Sequence, residues 1–196
     1  MVQQEKDTAG HKRQRILEAT GALVMEHGLQ STPMSLIANH AQVAIGTVYT
    51  YFDSKQDLVC SLYRQLIDNM TDAVMEGSQT ESPVHERFLS YWSRLLDYML
   101  THQKQASLLL YLTTTPYIDE SFREKTSARL VEFHSLIIRE GRDTKQIKDI
   151  STTIFNWFLY GSMMFIVNKV LVKQTLTSDK DLNNRIIKMW WDSIRR

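Results

Sequence analysis

The sequence predicts an all-α protein built from about nine helices. In successive stretches of the chain, apolar residues recur every three or four positions, which places them on one face of a helix. Helix-breaking residues are few, since the 196 residues include seven glycines and three prolines. Strict alternation of apolar and polar residues, the mark of a half-buried strand, is not convincing in any segment. A fold of many strands and turns is therefore disfavoured.

The N-terminal half divides at short polar segments. Gly28 follows the first periodic run and suits the left-handed position after a helix. Thr32 suits the N-cap of the next helix, and Pro33 suits its first position. Ser54, with Asp57 three residues later, resembles a capping box. The first four predicted helices span residues 11–27, 34–40, 45–52 and 54–75.

Five further helices are predicted after residue 82. Pro83 opens the first of them, because proline at the start of a helix removes no needed hydrogen bond. Gly141 is expected to end the seventh helix, and Asp149 is expected to cap the eighth. The five helices span residues 84–102, 106–112, 119–140, 149–173 and 179–195.

Composition excludes several classes of protein. A net charge of +1 provides no global positive field for nonspecific binding to nucleic acid or membrane. The single cysteine, Cys60, rules out a disulfide scaffold. The most apolar stretch, residues 154–172, is interrupted by polar side chains and no stretch is long enough to cross a bilayer, so we expect a cytoplasmic protein without membrane contact.

The segment most informative about function covers residues 32–55. It places two short helices around a turn of three to four residues, which is the helix-turn-helix arrangement. The second helix of such a unit enters the DNA major groove. Its hydroxyl groups suit phosphate oxygens and base edges, and Gly46 permits close approach of the backbone. Lys55 begins the next helix, where a cation and free amides can meet one phosphate.

The same segment resembles the tetracycline-repressor (TetR-type) family of transcriptional regulators. The resemblance rests on Ile37-Ala38, on residues 41–44, on Gly46-Thr47-Val48-Tyr49 and on Tyr51-Phe52, followed by Ser54-Lys55. It implies a repressor that leaves a palindromic double-stranded DNA operator when a small-molecule effector binds. It also implies three parts: a flexible N-terminus at 1–10, a helix-turn-helix DNA-binding domain at 11–55, and an effector-binding and dimerisation domain at 56–196.

The family's DNA contacts map onto matching positions of this chain. Gln42 stands where the family usually has glycine, which predicts a positive φ filled at some cost. Ala44 stands where serine is common, so the recognition helix lacks that side-chain cap. The DNA-binding residues implied are Ser35, Ile45, Gly46, Thr47, Tyr49, Thr50, Tyr51 and Lys55.

Structural roles compete with these assignments. Phe52 fits a core aromatic, and Tyr49 also allows that role. Lys12, Arg13 and Arg15 fit either a solvated face or phosphate contacts. Residues 1–55 hold five Lys or Arg and five Asp or Glu, so this part is neutral overall, which is unusual for a DNA binder.

The middle helices carry methionine and aromatic residues. If the chain has the effector-binding domain that the resemblance implies, we expect these residues to line an adaptable pocket. Few charges point inward, which favours a mostly apolar effector, and no cofactor is expected. Core packing without ligand contact explains the same residues equally well. The candidate pocket residues are Met70, Trp92, Leu95, Met99, Leu110, Tyr111, Thr114, Phe133, His134, Ile137, Phe158 and Met163.

The last two helices are predicted to form a four-helix interface in a homodimer. Phe158 and Val167 lie off the predicted stripe and are expected to face the core. The alternative is that both helices only close the monomer core. The candidate interface residues are Phe155, Leu159, Ser162, Ile166, Val170, Leu182, Ile186, Met189, Trp190 and Ile194.

Two other classes of function were weighed against a ligand-controlled repressor. An enzyme is disfavoured because the sequence lacks paired Glu-x-x-His motifs, nucleotide-binding glycine loops and a second cysteine, and no metal site is expected. A helical DNA-binding or ligand-binding module without small-molecule-controlled repression stays open, since the N-terminal part is nearly neutral.

Overall fold

Nine α-helices make up the regular secondary structure of the residues that the computed structural model describes, 9–76, 81–173 and 180–196. The predicted all-α fold is confirmed. Of the expected flexible N-terminus, residues 1–8 lie outside the described residues, and the first helix already begins at Ala9. The helices are α1 (Ala9–His27), α2 (Met34–His40), α3 (Ile45–Tyr51), α4 (Lys55–Met75), α5 (Val84–Thr101), α6 (Gln103–Thr113), α7 (Glu120–Asp143), α8 (Thr152–Lys173) and α9 (Lys180–Ile194).

The described chain divides into two compact units, and the N-terminal unit holds residues up to Leu66 together with Tyr111–Asp119. Within it, α1, α2 and α3 pack against one another. The helices do so because each buries one apolar stripe. This core fixes which sides of α2 and α3 remain exposed. Its fully buried side chains include Ile16, Leu17, Ile37, Val48, Phe52, Leu58 and Val59.

Two turns set the positions of α2 and α3. Gly28 has a φ of 76°, as predicted for the residue after α1, and Gln42 has a φ of 55°, as predicted for the turn between α2 and α3. The prediction that Thr32 caps α2 was wrong by one residue. Its hydroxyl donates to the carbonyl oxygen of Gly28 at 2.8 Å, and Pro33 takes the N-cap position.

Ser54 begins α4 much as the capping-box pattern predicts. Its hydroxyl oxygen accepts a hydrogen bond from the Asp57 backbone N–H at 3.1 Å. The Asp57 carboxylate accepts from the backbone N–H of Asp53 at 3.1 Å, one residue before the position in a standard box. The start of α4 is therefore tied to the end of the helix-turn-helix segment. Ala44, at the N-cap of α3, makes no side-chain cap bond, as expected.

The left-handed backbone conformation of Gln42 is expected to lower the stability of the protein. Replacing Gln42 by glycine should raise the free energy of unfolding by about 0.5–1 kcal/mol, because the Cβ strain at positive φ outweighs the extra chain entropy of glycine. Urea denaturation measures the change. Lys145→Gly, at a φ of 57°, should shift in the same direction, whereas Ala44→Gly, at a φ of −66°, should not stabilise. A loss of stability in Gln42→Gly would contradict the account.

The C-terminal unit contains residues 67–110 and the chain from Glu120 onward. Within it α5 packs against α7, α8 and α9. Its fully buried Trp92 has ring centroids of Trp190 and Tyr160 at 5.4 and 4.9 Å, both edge to face. Such aromatic pairs add to the stabilisation that area burial gives.

Two predicted helix boundaries in this unit were wrong for identifiable reasons. Gly141 does not end α7, which continues to Asp143. The glycine is instead a packing site, since a Cβ there would lie 2.8 Å from Cγ1 of Ile147. Asp149 does not cap α8. That role falls to Ser151, whose hydroxyl oxygen accepts from the backbone N–H of Ile154 at 3.2 Å.

Candidate functional site

The recognition helix α3 presents one side to solvent and one to the core. Tyr49 is 52% exposed and Ile45, Gly46 and Thr50 are also exposed, all on one side of the helix. Val48 and Phe52 are buried on the other side. Phe52 is thus a core residue and Tyr49 is not, which decides the alternatives left open by the sequence.

The remaining predicted DNA-binding side chains differ in exposure and in hydrogen bonding. Ser35 is exposed on α2, while Thr47 and Tyr51 are half-buried. Thr50 donates its hydroxyl proton to the carbonyl oxygen of Gly46 at 2.9 Å, so this hydroxyl must rotate before it donates elsewhere. The exposed side of α3 thus carries Ile45, Gly46, Tyr49 and Thr50, while Thr47 and Tyr51 lie on its half-buried flank and Ser35 is exposed on α2.

Cations of α1 hold the helix-turn-helix segment together. Arg15 donates from its guanidinium to the carbonyl oxygen of Gln42 at 3.1 Å, at the left-handed residue of the turn. The Arg13 guanidinium carbon lies 5.3 Å from the ring centroid of Phe52, a cation–π distance. Lys12 is half-buried. Arg13 and Arg15 thus have partners inside the unit, and phosphate contact by these cations stays a prediction.

Lys55 has a partner that the sequence did not indicate. Its ammonium donates to the carbonyl oxygen of Leu29 at 2.5 Å, in the turn that follows α1. Partial burial lowers the pKa of this lysine. The residue is therefore engaged with the protein backbone, and the predicted phosphate contact would have to use its remaining N–H groups.

Two protein-family models together match residues 16–196 of the chain. A model of the bacterial regulatory proteins of the tetR family matches residues 16–62, and a model of the tetracyclin repressor-like C-terminal domain matches residues 63–196. The chain belongs to the tetR family. The resemblance inferred from the helix-turn-helix residues is thereby confirmed, and the chain is a regulator of the transcription-factor class.

Relatives of this tetR-family chain match it in part or by fold. The uncharacterized HTH-type transcriptional regulator YhgD of Bacillus subtilis (strain 168) is 30% identical over 92 residues, 47% of this chain and 48% of that protein. The chain thus matches about half the length of that relative. A TetR-family regulator of Marinobacter aquaeolei VT8 has the same fold, with a TM-score of 0.82 at 19% identity, covering 94% of this chain and 95% of that one. FadR of Bacillus subtilis, solved with stearoyl-CoA, gives 0.74 at 18%, covering 91% and 95%.

The residues predicted to line the effector pocket do not all belong to one unit. Tyr111 and Thr114 belong to the N-terminal unit, and Phe158 is exposed on α8. Leu110 and Phe133 are half-buried in the C-terminal unit. A separate groove of about 400 Å³ lies between α5 and α9, and none of the predicted pocket residues lines it. The predicted residues buried in the C-terminal unit are Met70, Trp92, Leu95, Met99, His134, Ile137 and Met163.

A chain of uncharged polar groups runs through the aromatic core of this unit. The hydroxyls of Tyr91 and Tyr160 are hydrogen-bonded to each other, and the Tyr160 hydroxyl lies 3.3 Å from Nδ1 of His134. Nε2 of His134 contacts the amide oxygen of Asn156. The sequence indicated only His134 here. Tyr91, Asn156 and Tyr160 were not predicted as site residues, because periodicity does not show which polar groups meet inside the core.

Burial of His134 makes stability depend on pH. Desolvation lowers the pKa of this ring below its ordinary value of 6.5, against smaller opposing effects of its hydrogen bonds to Asn156 and Leu130. The unfolded chain therefore takes up a proton that the folded chain resists. The stabilisation is complete above pH 6.5, and we expect the free energy of unfolding to fall as the pH drops towards the folded-state pKa.

Urea denaturation between pH 7.5 and 5.5 measures this dependence. His134→Gln should flatten the slope below pH 6.5, because the buried ring is removed. An equal slope in wild type and His134→Gln would contradict the assignment.

The predicted interface residues of α8 and α9 differ in how deeply they are buried. Phe155, Leu159, Trp190 and Ile194 are buried inside the C-terminal unit, as is Val167. The half-buried members are Ser162, Ile166, Leu182 and Ile186, and Met189 is exposed. The side chain of Val170 lies outside the described residues.

The expected direction of Phe158 was wrong, since it is 49% exposed rather than turned to the core. Trp157 and Phe165 are exposed on the same side of α8, by 74% and 63%. With Ile154 and Gly161 they form a continuous exposed apolar surface, called here the α8 outer face.

Residues 9–76, 81–173 and 180–196 bear on two further kinds of site. In that part of the chain, no three His, Cys, Asp or Glu side chains come together as a metal site would require. None of the helices there is both long and apolar enough to span a membrane.

Proposed function

We propose that this tetR-family regulator binds a duplex operator by inserting the exposed side of α3 into the major groove. The observation that carries the proposal is the split of α3 into a buried side at Val48 and Phe52 and an exposed side bearing Tyr49. A helix held in this way offers hydroxyl, methyl and backbone groups to base edges. The contacts proposed are Ser35, Ile45, Gly46, Thr47, Tyr49, Thr50 and Tyr51.

Fluorescence anisotropy with labelled duplexes from beside the protein's own gene tests the proposal. We expect one duplex to bind at least about 1,000-fold more tightly than a shuffled duplex of equal composition. Titration at several salt concentrations then counts the phosphates engaged. Equal affinity for specific and shuffled duplexes would overturn the proposal.

We propose further that two copies associate through the α8 outer face and the exposed side of α9 near Met189. A surface with four large apolar side chains on one helix is uncommon in a monomer. A two-fold dimer presents two recognition helices, which read half-sites roughly 34–36 Å apart in a palindrome. Of the predicted interface, this scheme retains Leu182, Ile186 and Met189 on α9, and Ser162 and Ile166 lie outside the α8 outer face.

The controlling signal is proposed to be a mostly apolar small molecule that binds the C-terminal unit in the cytoplasm and releases the operator. Support comes from the aromatic core around Trp92 and from the uncharged polar chain through His134. FadR of Bacillus subtilis, of similar fold, was solved with stearoyl-CoA. The proposal includes no catalytic step.

Stearoyl-CoA is therefore the first probe for operator release. When it is added to the complex of protein and operator, stearoyl-CoA should weaken operator binding. Coenzyme A alone should not weaken operator binding to the same extent. Linkage requires that the operator weaken stearoyl-CoA binding by the same factor. If stearoyl-CoA binds the protein and operator affinity is unchanged, it is not the effector.

A further inference from the structure

Both backbone polar groups of Leu29 are hydrogen-bonded to side chains that are distant in the sequence. The N–H of Leu29 donates to the hydroxyl oxygen of Tyr111 at 3.1 Å, 82 residues away. The carbonyl oxygen of Leu29 accepts from the ammonium of Lys55 at 2.5 Å, 26 residues away. All three residues belong to the N-terminal unit. We call this arrangement the Leu29 clamp.

The clamp acts on the turn that sets α2 on α1. The turn starts at Gly28 and ends at Thr32, whose hydroxyl donates back to the Gly28 carbonyl oxygen. The Tyr111 hydroxyl lies 3.7 Å from the point where a Cβ on Gly28 would be. Since α2 begins directly after this turn, its direction is fixed by the hydrogen bonds of these residues.

The geometry also decides which way Lys55 points. Its side chain is half-buried, and the ammonium lies against the Leu29 carbonyl rather than extending into solvent. The ammonium at the start of α4 therefore holds the α1–α2 turn through the Leu29 carbonyl oxygen, while the tyrosine holds it through the Leu29 N–H.

Tyr111 links this turn to a helix of the other unit through the chain itself. It lies in the last turn of α6, whose residues up to Leu110 belong to the C-terminal unit. The segment that follows is also tied to the N-terminal unit, because Cys60 donates from its Sγ to the carbonyl oxygen of Tyr117 at 3.4 Å.

We propose that Tyr111 and Lys55 are positioning residues for DNA binding. They act through Leu29, by holding the turn from which α2 and then α3 continue, and Lys55 does so in place of a phosphate contact. The inference rests on the proposed DNA-binding function.

The two roles of Lys55 predict different salt dependences. If it contacted phosphate, Lys55→Met would reduce the slope of log affinity against log salt by about one per subunit. As a positioning residue, Lys55→Met should weaken operator binding about threefold to tenfold with the slope unchanged. A reduced slope would overturn the assignment of Lys55, and so would unchanged affinity.

Tyr111→Phe removes a single oxygen atom and tests the other half of the clamp. We expect operator affinity to fall about threefold to tenfold, with the salt slope unchanged and faster hydrogen exchange at the Leu29 amide. Tyr117→Phe is the matched control, since the contact described for Tyr117 is through its backbone carbonyl, which the substitution keeps. Wild-type affinity in Tyr111→Phe, or unchanged exchange at Leu29, would overturn the proposal. Failure of the wild-type protein to bind any duplex would instead overturn the proposed function.

Discussion

The double variant Trp157→Glu, Phe165→Glu is expected to be a monomer that binds operator DNA at least about 100-fold more weakly than the wild-type protein. Trp157 and Phe165 are 74% and 63% exposed, so each has on the order of 100 Å² or more to bury on association, which for the pair is worth several kcal/mol. Glutamate removes that area and adds a charge that would need desolvation. Loss of the dimer also removes the avidity of two linked half-sites, which contributes about 10²- to 10⁴-fold.

Sedimentation velocity and operator titration should be run on the same samples. Leu136→Glu is the matched control, because Leu136 is a large exposed apolar residue on α7, outside the α8 outer face. It should leave both the mass and the affinity unchanged. A double variant that remains dimeric would place the interface elsewhere, and a monomer with full operator affinity would show that dimerisation is not needed for binding.

Phe52→Ala should lower stability, whereas Tyr49→Ala should lower operator affinity, although the two aromatic residues are only three positions apart. Phe52 is fully buried, so its truncation is expected to cost about 3–5 kcal/mol of stability, a large part of the total for a domain. Tyr49 is exposed, so its truncation should change stability by less than about 0.5 kcal/mol. Operator affinity of Tyr49→Ala should fall about tenfold or more, because its contacts to the groove are lost.

Urea denaturation and operator titration on both variants separate packing from DNA contact. Tyr49→Phe serves as the control that keeps the ring and removes only the hydroxyl. Should Tyr49→Ala retain full affinity, α3 does not read DNA through its exposed side. A stable Phe52→Ala protein would contradict the packing described for the N-terminal unit.

The N-terminal unit was the more predictable part of the molecule. Its helices are short and amphipathic, and its turns carry residues with strong local preferences, such as Gly28 at positive φ. Even Gln42, an unfavourable residue for its conformation, was predictable from the resemblance to the family. Local sequence therefore determined most of the helix-turn-helix geometry.

The orientation of helix α8 was not predictable in the same way, because the helix itself carries apolar residues on every side. Phe155, Leu159 and Met163 follow helical spacing, but so do Ile154, Trp157 and Phe165. Periodicity alone cannot decide which of two apolar stripes faces the core. The choice is made by what packs against the helix, which is a tertiary property.

The roles of Lys55 and Tyr111 depended on tertiary contacts as well. Both meet Leu29, a residue that is distant from each of them in the sequence. Nothing in the local pattern around a lysine at a helix start indicates whether it faces phosphate or a backbone carbonyl. The sequence named Lys55 as a phosphate contact and Tyr111 as a pocket residue, and it indicated the Leu29 contact of neither.

Helix α3 carries no charged side chain along its seven residues. If α3 enters the major groove as proposed, charge attraction to the sugar–phosphate backbone must come from other elements, and α3 would discriminate base pairs with uncharged groups. A rise in ionic strength should weaken attachment to every duplex by a similar factor and leave the ranking of sequences intact. Overall affinity for DNA and specificity for sequence would then depend on different residues. Substitutions outside α3 could change how fully a promoter is occupied without changing which promoter is bound.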